Sequence, residues 1–131
     1  RRYVISYPTE ANGRYLAPIV HELGHILQFE MEGGLRALTE KYSSKRIELG
    51  ADYLAGLTFS HALHDIDINQ FQHNILLTGV YVELDFDAHG NPSERGAAFR
   101  LGYINFDKAG PDMRSASDHF QRKLYGLVTR Y

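Results

Sequence analysis

The chain has 131 residues, of which 44% are hydrophobic, so it is the size of one domain and can bury a real core. Its formal net charge of −2 argues against a nucleic-acid or anionic-membrane partner, and no run of about 18 apolar residues is present to span a bilayer. Cysteine is absent, which excludes disulfides and thiolate metal sites.

The first residue is arginine and no signal-peptide pattern follows it. We therefore expect the chain to be a fragment or a processed form of a longer protein. The sequence does not determine the cellular location of the protein. One expectation is an extracytoplasmic or membrane-associated location, reached through a segment outside this chain. It predicts no oligomeric state.

The N-terminal third predicts a strand followed by a helix. Residues 1–8 are rich in β-branched and aromatic residues and end at a proline, as in a short strand. Residues 9–14 form a turn or the start of a helix. Apolar residues at helical spacing predict a helix over residues 15–31, and a glycine pair at 33 and 34 ends it.

The remainder predicts further helices. A short one covers residues 35–42, and a long one, rich in alanine and leucine, covers residues 45–63. Residues 70–86 fit a buried helix or a strand equally well. Two more helices are predicted at residues 93–101 and 116–128. The fold class is therefore mainly α (α+β), one domain over residues 1–131, with a short N-terminal strand or small sheet.

The segment HELGH in the first long helix carries a metal-ligand spacing. His21 and His25 are four residues apart and project from one face of a helix, one turn from each other. Two imidazoles so placed can bind a single ion at about 2.0–2.1 Å each. Glu22 points to the side, where it can reach a water molecule, which is the position of a general base.

The segment ELGAD in the next long helix supplies carboxylates. A catalytic zinc site needs a third protein ligand and an open position, and without cysteine that ligand is His, Asp or Glu. Glu48 and Asp52 again lie four apart. We predict that Glu48 is the third ligand and that Asp52 accepts the ring N–H of a ligand histidine, with His21 favoured. Small residues on both helices would allow close approach: Gly24, Ala51, Ala55 and Gly56.

These blocks resemble the gluzincin metallopeptidases and are most similar to the bacterial neutral zinc metallopeptidases. That family has a pattern close to H-E-x-G-H-x-x-Q, then E-x-x-A-D-x-x-A-G, then a His-Gly block with an arginine. The matching positions are His21, Glu22, Gly24, His25, Gln28, Glu48, Ala51, Asp52, Ala55, Gly56, His89, Gly90, Glu94, Arg95, Phe99 and Gly102. The resemblance implies a zincin-like fold, a Zn²⁺ cofactor and a peptide or protein substrate.

His89 and Arg95 would lie near the metal by this resemblance. Either could stabilise the oxyanion that develops during peptide hydrolysis. Arg95 could equally orient Asp52 or Glu48. The alternative is a purely structural role in a turn followed by a helix start, since NPSE at residues 91–94 suits the beginning of a helix.

The resulting hypothesis is a zinc metallopeptidase. Zinc, held by His21, His25 and Glu48, would activate water and polarise the scissile carbonyl, with Glu22 as general base. The alternative is a catalytically silent, metal-stabilised binding or regulatory domain on the same scaffold. The short region before His21 favours that alternative, because a substrate needs a strand edge for pairing. The presence of Glu22 favours the enzyme.

Overall fold

Four helices contain most of the residues that the computed structural model describes, which are residues 9–62, 67–69, 73, 89–104, 115 and 118. They are α1 (Thr9–Glu32), α2 (Leu35–Lys41), α3 (Ser44–Ala62) and α4 (Pro92–Ile104). No strand occurs in this part, so the mainly helical class is confirmed there. The predicted strand at residues 1–8, and most of residues 70–86 and 116–128, lie outside the described residues. No described helix is both long and apolar enough to cross a bilayer.

Helix α1 is longer than predicted and ends where predicted. It begins at Thr9 rather than at residue 15, so residues 9–14 start the helix, and it includes Pro18. Its end uses backbone conformations that glycine adopts at low cost: φ is 87° at Gly33 and 119° at Gly34. The N–H groups of both glycines donate to the carbonyl of Phe29 and thereby satisfy the helix end.

Helix α3 is the centre of the described part. It packs against both α1 and α4, and residues 49–57 are all buried. Residues of α3 belong to two buried apolar clusters. One contains Leu49, Tyr53, Leu54, Leu57 and Ala98. The other contains Ala17, Val20, Ala55, Phe59 and Phe99. A helix buried on most of its surface is held rigidly by packing, so a carboxylate on it has a defined position.

Small residues set the spacing of these helices, although not all as predicted. A methyl group added at Gly24 would lie 2.7 Å from the carbonyl oxygen of Ala51, so α1 and α3 approach closely at this point. Gly56 was expected to face α1 as well, and that expectation is wrong. It lies against the backbone of Phe99 and Tyr103 in α4, because the opposite side of α3 is covered by that helix.

Helix α4 begins with a reciprocal cap. The Asn91 side chain accepts the N–H of Glu94 at 2.9 Å, and the Glu94 carboxylate accepts the N–H of Asn91 at 2.9 Å. Pro92 occupies the first helical position, where a missing N–H costs nothing. Lys45 at the start of α3 also pairs with Glu94 at 2.9 Å. The start of α4 is thereby fixed beside α3, and Arg95 follows directly.

Candidate metal centre

Three side chains from α1 and α3 converge at one point. His21 and His25 lie on one face of α1, and Glu48 reaches them from the first half of α3. The Nε2 atom of His21 is 3.3 Å from Oε2 of Glu48, and Nε2 of His25 is 3.5 Å from Oε1. One donor atom from each residue lies within 4.8 Å of the others. Among the described residues, this is the one group of His, Asp and Glu close enough to hold an ion.

His21 is supported by a buried charged pair. Its Nδ1–H donates to Oδ1 of Asp52 at 2.8 Å, and Asp52 has no exposed surface. Arg95 donates to both oxygens of the same carboxylate, from Nε at 2.8 Å and from Nη2 at 2.9 Å. This fork geometry fixes the carboxylate plane and therefore the imidazole. Of the roles that the sequence left open for Arg95, these contacts favour the orientation of Asp52.

His25 is supported by a neutral amide. Its Nδ1–H donates to Oε1 of Gln28 at 3.0 Å, and Nε2 of Gln28 donates to the carbonyl of Ile47 at 2.9 Å. Gln28 is buried with only 4% of its surface exposed, so both of its polar atoms need these partners. Gln28 was named only as a match to the family pattern, and its support of His25 was not predicted. Its position three residues after His25, on the same helix face, was the available signal.

The electrostatics of the centre favour an ion pair between His21 and Glu48. Burial lowers the pKa of His21, but hydrogen bonds to Asp52 and Glu48 outweigh burial and raise that pKa to about 9. Burial raises the pKa of Glu48, but hydrogen bonds from His21 and His25 outweigh it and hold that pKa well below the usual range. Glu48 is therefore a carboxylate at neutral pH, as a metal ligand must be.

Glu22 and His89 lie at the accessible side of the centre. Glu22 is exposed, and with His25 and Glu48 it lines part of a cavity of about 340 Å³. His89 precedes α4, its side chain is 48% exposed, and its Nδ1 is 3.7 Å from Oε1 of Glu48. Both are placed to meet a molecule arriving from solvent, whereas Arg95 is buried with 4% exposure.

The donor set fits a divalent cation. Both Nδ1 atoms are engaged by Asp52 and Gln28, which leaves both Nε2 atoms directed at Glu48. Two imidazoles and one carboxylate are the ligands that zinc accepts in catalytic sites, where a fourth position stays open. Outer carboxylate or amide partners of this kind are typical of metal-binding histidines. The residues present therefore fit the cofactor that the resemblance implies.

Comparisons with known proteins add no family to this description. No protein-family model matches the chain, and neither curated proteins nor solved structures gave a significant match. The resemblance to neutral zinc metallopeptidases therefore stays a prediction from sequence motifs, and the geometry described above carries the functional argument.

Proposed function

We propose that this protein is a zinc-dependent peptidase, with His21, His25 and Glu48 as the residues that hold the metal. One observation carries the proposal: one ligand atom from each of two imidazoles and one carboxylate lie within 4.8 Å of one another, while the Nδ1 atoms of both imidazoles are held by buried partners. When bound, zinc would supply a Lewis acid that polarises a carbonyl and lowers the pKa of water.

Glu22 is the general base in this proposal. It follows His21 directly, is exposed, and lines the same cavity as His25 and Glu48. In hydrolysis it takes a proton from the attacking water and delivers it to the leaving amine. His89 is the candidate donor to the oxyanion, because its exposed ring lies beside Glu48. Arg95 acts through Asp52 as a positioning residue.

The first experiment separates metal binding from catalysis. Zinc content is measured by mass spectrometry on protein purified without chelator, and cleavage of a peptide library is measured with and without a chelator. Glu22→Gln should keep zinc and lower turnover by about 10²-fold or more, because only the base is removed. The matched control Glu30→Gln changes an exposed carboxylate of the same helix and should alter neither quantity.

The second experiment tests the third ligand. Glu48→Ala leaves two imidazoles without a carboxylate, so we expect the zinc stoichiometry to fall far below one per chain. Unchanged stoichiometry would remove Glu48 from the ligand set. If the wild-type protein binds zinc but cleaves no peptide, the peptidase proposal is wrong and the metal-stabilised binding domain becomes the better description.

A further inference from the structure

A turn before α4, residues 89–91, places His89 beside the candidate metal centre. The side chain of His89 is 48% exposed, and its Nδ1 lies 3.7 Å from Oε1 of Glu48. A half-exposed side chain is not held by packing on all sides, so its position depends on the backbone that carries it. The contacts of this turn, called the His89 turn below, therefore decide where the imidazole lies.

The His89 turn lies on one face of α3. Lys45, Glu48 and Leu49 are three or four residues apart, so their side chains share that face. A methyl group added at Gly90 would lie 3.0 Å from Cδ2 of Leu49, so the turn approaches the helix closely there. The φ of 82° at Gly90 is also one that other residues rarely adopt. Glycine therefore allows both the bend of the chain and its contact with α3.

Glu94 connects the turn to α3 through both of its carboxylate oxygens. Oε2 accepts the backbone N–H of Asn91 at 2.9 Å, and Oε1 pairs with Nζ of Lys45 at 2.9 Å. The side chains of Lys45 and Glu94 are only 21% and 11% exposed, so solvent screens this ion pair less than a pair at the open surface. The carboxylate thus joins the first turn of α3 to the backbone of the His89 turn.

Other contacts already join α4 to α3. Arg95 donates two hydrogen bonds to the buried carboxylate of Asp52, and apolar side chains of both helices pack together. The Lys45–Glu94 pair acts on the chain before α4, because Glu94 also binds a backbone N–H of the preceding turn. Its particular contribution is therefore the position of that turn on α3.

We propose that Lys45 and Glu94 are positioning residues for His89. Their ion pair holds the His89 turn on α3, so that the imidazole stays at the accessible side of the candidate centre, where it can donate to the oxyanion of the proposed reaction. The inference rests on the proposed peptidase function for its effect on catalysis. The position of the turn on α3 can be measured without metal or substrate.

The kinetic test removes the charge of Lys45 and uses a library peptide that the wild-type protein cleaves. Lys45→Met should lower kcat about tenfold with KM and zinc content nearly unchanged, because a displaced imidazole loses a contact made only in the transition state. Lys45→Arg keeps a cation for Glu94 and should retain most of the kcat. The matched control Lys41→Met breaks a different pair, with Glu32, and should leave kcat unchanged.

A double-mutant cycle separates positioning of His89 from a general weakening of the fold. If Lys45 acts through His89, Lys45→Met should have little further effect on kcat in protein that already carries His89→Ala. Independent losses that multiply in the double variant would overturn the proposal. A kcat for Lys45→Met equal to that of the wild-type protein would overturn it as well.

An NMR readout separates failure of this inference from failure of the proposed function. In the zinc-free protein, the approach of Gly90 to Leu49 should give a nuclear Overhauser effect between the Gly90 Hα protons and a δ-methyl group of Leu49. It should weaken in Lys45→Met and in Glu94→Gln, which keeps an acceptor for the N–H of Asn91 but removes the ion pair. Weakening in both variants supports the positioning of the turn even if the wild-type protein cleaves nothing. Undiminished effects in both variants overturn it even if the protein is a peptidase.

Discussion

The two histidines of the candidate centre are supported in different ways. His21 contacts a buried carboxylate that is itself held by the guanidinium of Arg95, so its support is charged. His25 contacts the buried amide of Gln28, which also binds the backbone of α3, so its support is neutral. The two candidate ligands, one helical turn apart, therefore differ in their partners: one partner is charged and the other is neutral.

Asp52 and Gln28 therefore have different effects on the histidines that they contact. A carboxylate partner makes an imidazole more basic and strengthens it as a ligand. An amide fixes the ring orientation without adding charge. The Asp52–Arg95 pair also connects α3 to α4, whereas Gln28 connects α1 to the start of α3. Breaking each support should thus give distinguishable effects.

The largest expected effect comes from Asp52→Ala. The change leaves Arg95 buried without its carboxylate, so we expect the free energy of unfolding of the zinc-free protein to fall by about 3–5 kcal/mol. Chemical denaturation followed by circular dichroism measures it. The control Asp118→Ala removes an exposed carboxylate and should cost far less. A fall for Asp52→Ala no larger than the control value would contradict a structural role for the charged pair.

The pH dependence of zinc binding should reflect the charged support. Because the pKa of His21 is raised from 6.5 to about 9, its contacts stabilise the zinc-free protein fully below pH 6.5, and this contribution is lost as the pH rises through about 9. Zinc must displace the same proton, so its apparent affinity should rise over this window by up to about tenfold per pH unit. Competition with a chromophoric chelator measures the affinity.

Two variants sharpen this pH prediction. Asp52→Asn removes the charge that raises the pKa of His21, so the slope of zinc affinity against pH should become shallower. Gln28→Leu changes no charge, so its affinity should be lower by the same factor at every pH. Equal slopes in the wild-type and Asp52→Asn proteins would show that the carboxylate does not control the proton on His21.

The smallest expected effect on the centre comes from breaking the hydrogen bond between His25 and Gln28. Gln28→Leu keeps the volume of a buried side chain but leaves His25 without an acceptor, so we expect zinc affinity to fall by about 10-fold to 100-fold. The variant Gln28→Glu keeps an acceptor for His25 but loses the donor to the carbonyl of Ile47, so it should retain more zinc affinity than Gln28→Leu while lowering the free energy of unfolding. Isothermal titration calorimetry compares the two, and an unchanged affinity in Gln28→Leu would exclude an orienting role.

Much of the helical frame could be predicted because its signals are local. Helical spacing and the glycine pair placed the end of α1, and NPSE placed the start of α4. The beginning of α1 was left open between a turn and a helix start, because the Asn12-Gly13 dipeptide is usually a turn signal, and the helix start is confirmed.

The sequence by itself determined which residues share a helix face, because four-residue spacing on a helix leaves two side chains one turn apart whatever surrounds them. That applies to His21 with His25 and to Glu48 with Asp52. Only the tertiary structure decided how these faces meet. Three contacts join residues that are distant in sequence. They are the close approach of Gly24 to Ala51, the bidentate hydrogen bonds from Arg95 to Asp52, and the hydrogen bond from Gln28 to the carbonyl of Ile47. Such contacts depend on the packing of helices, and spacing along the chain does not encode that packing.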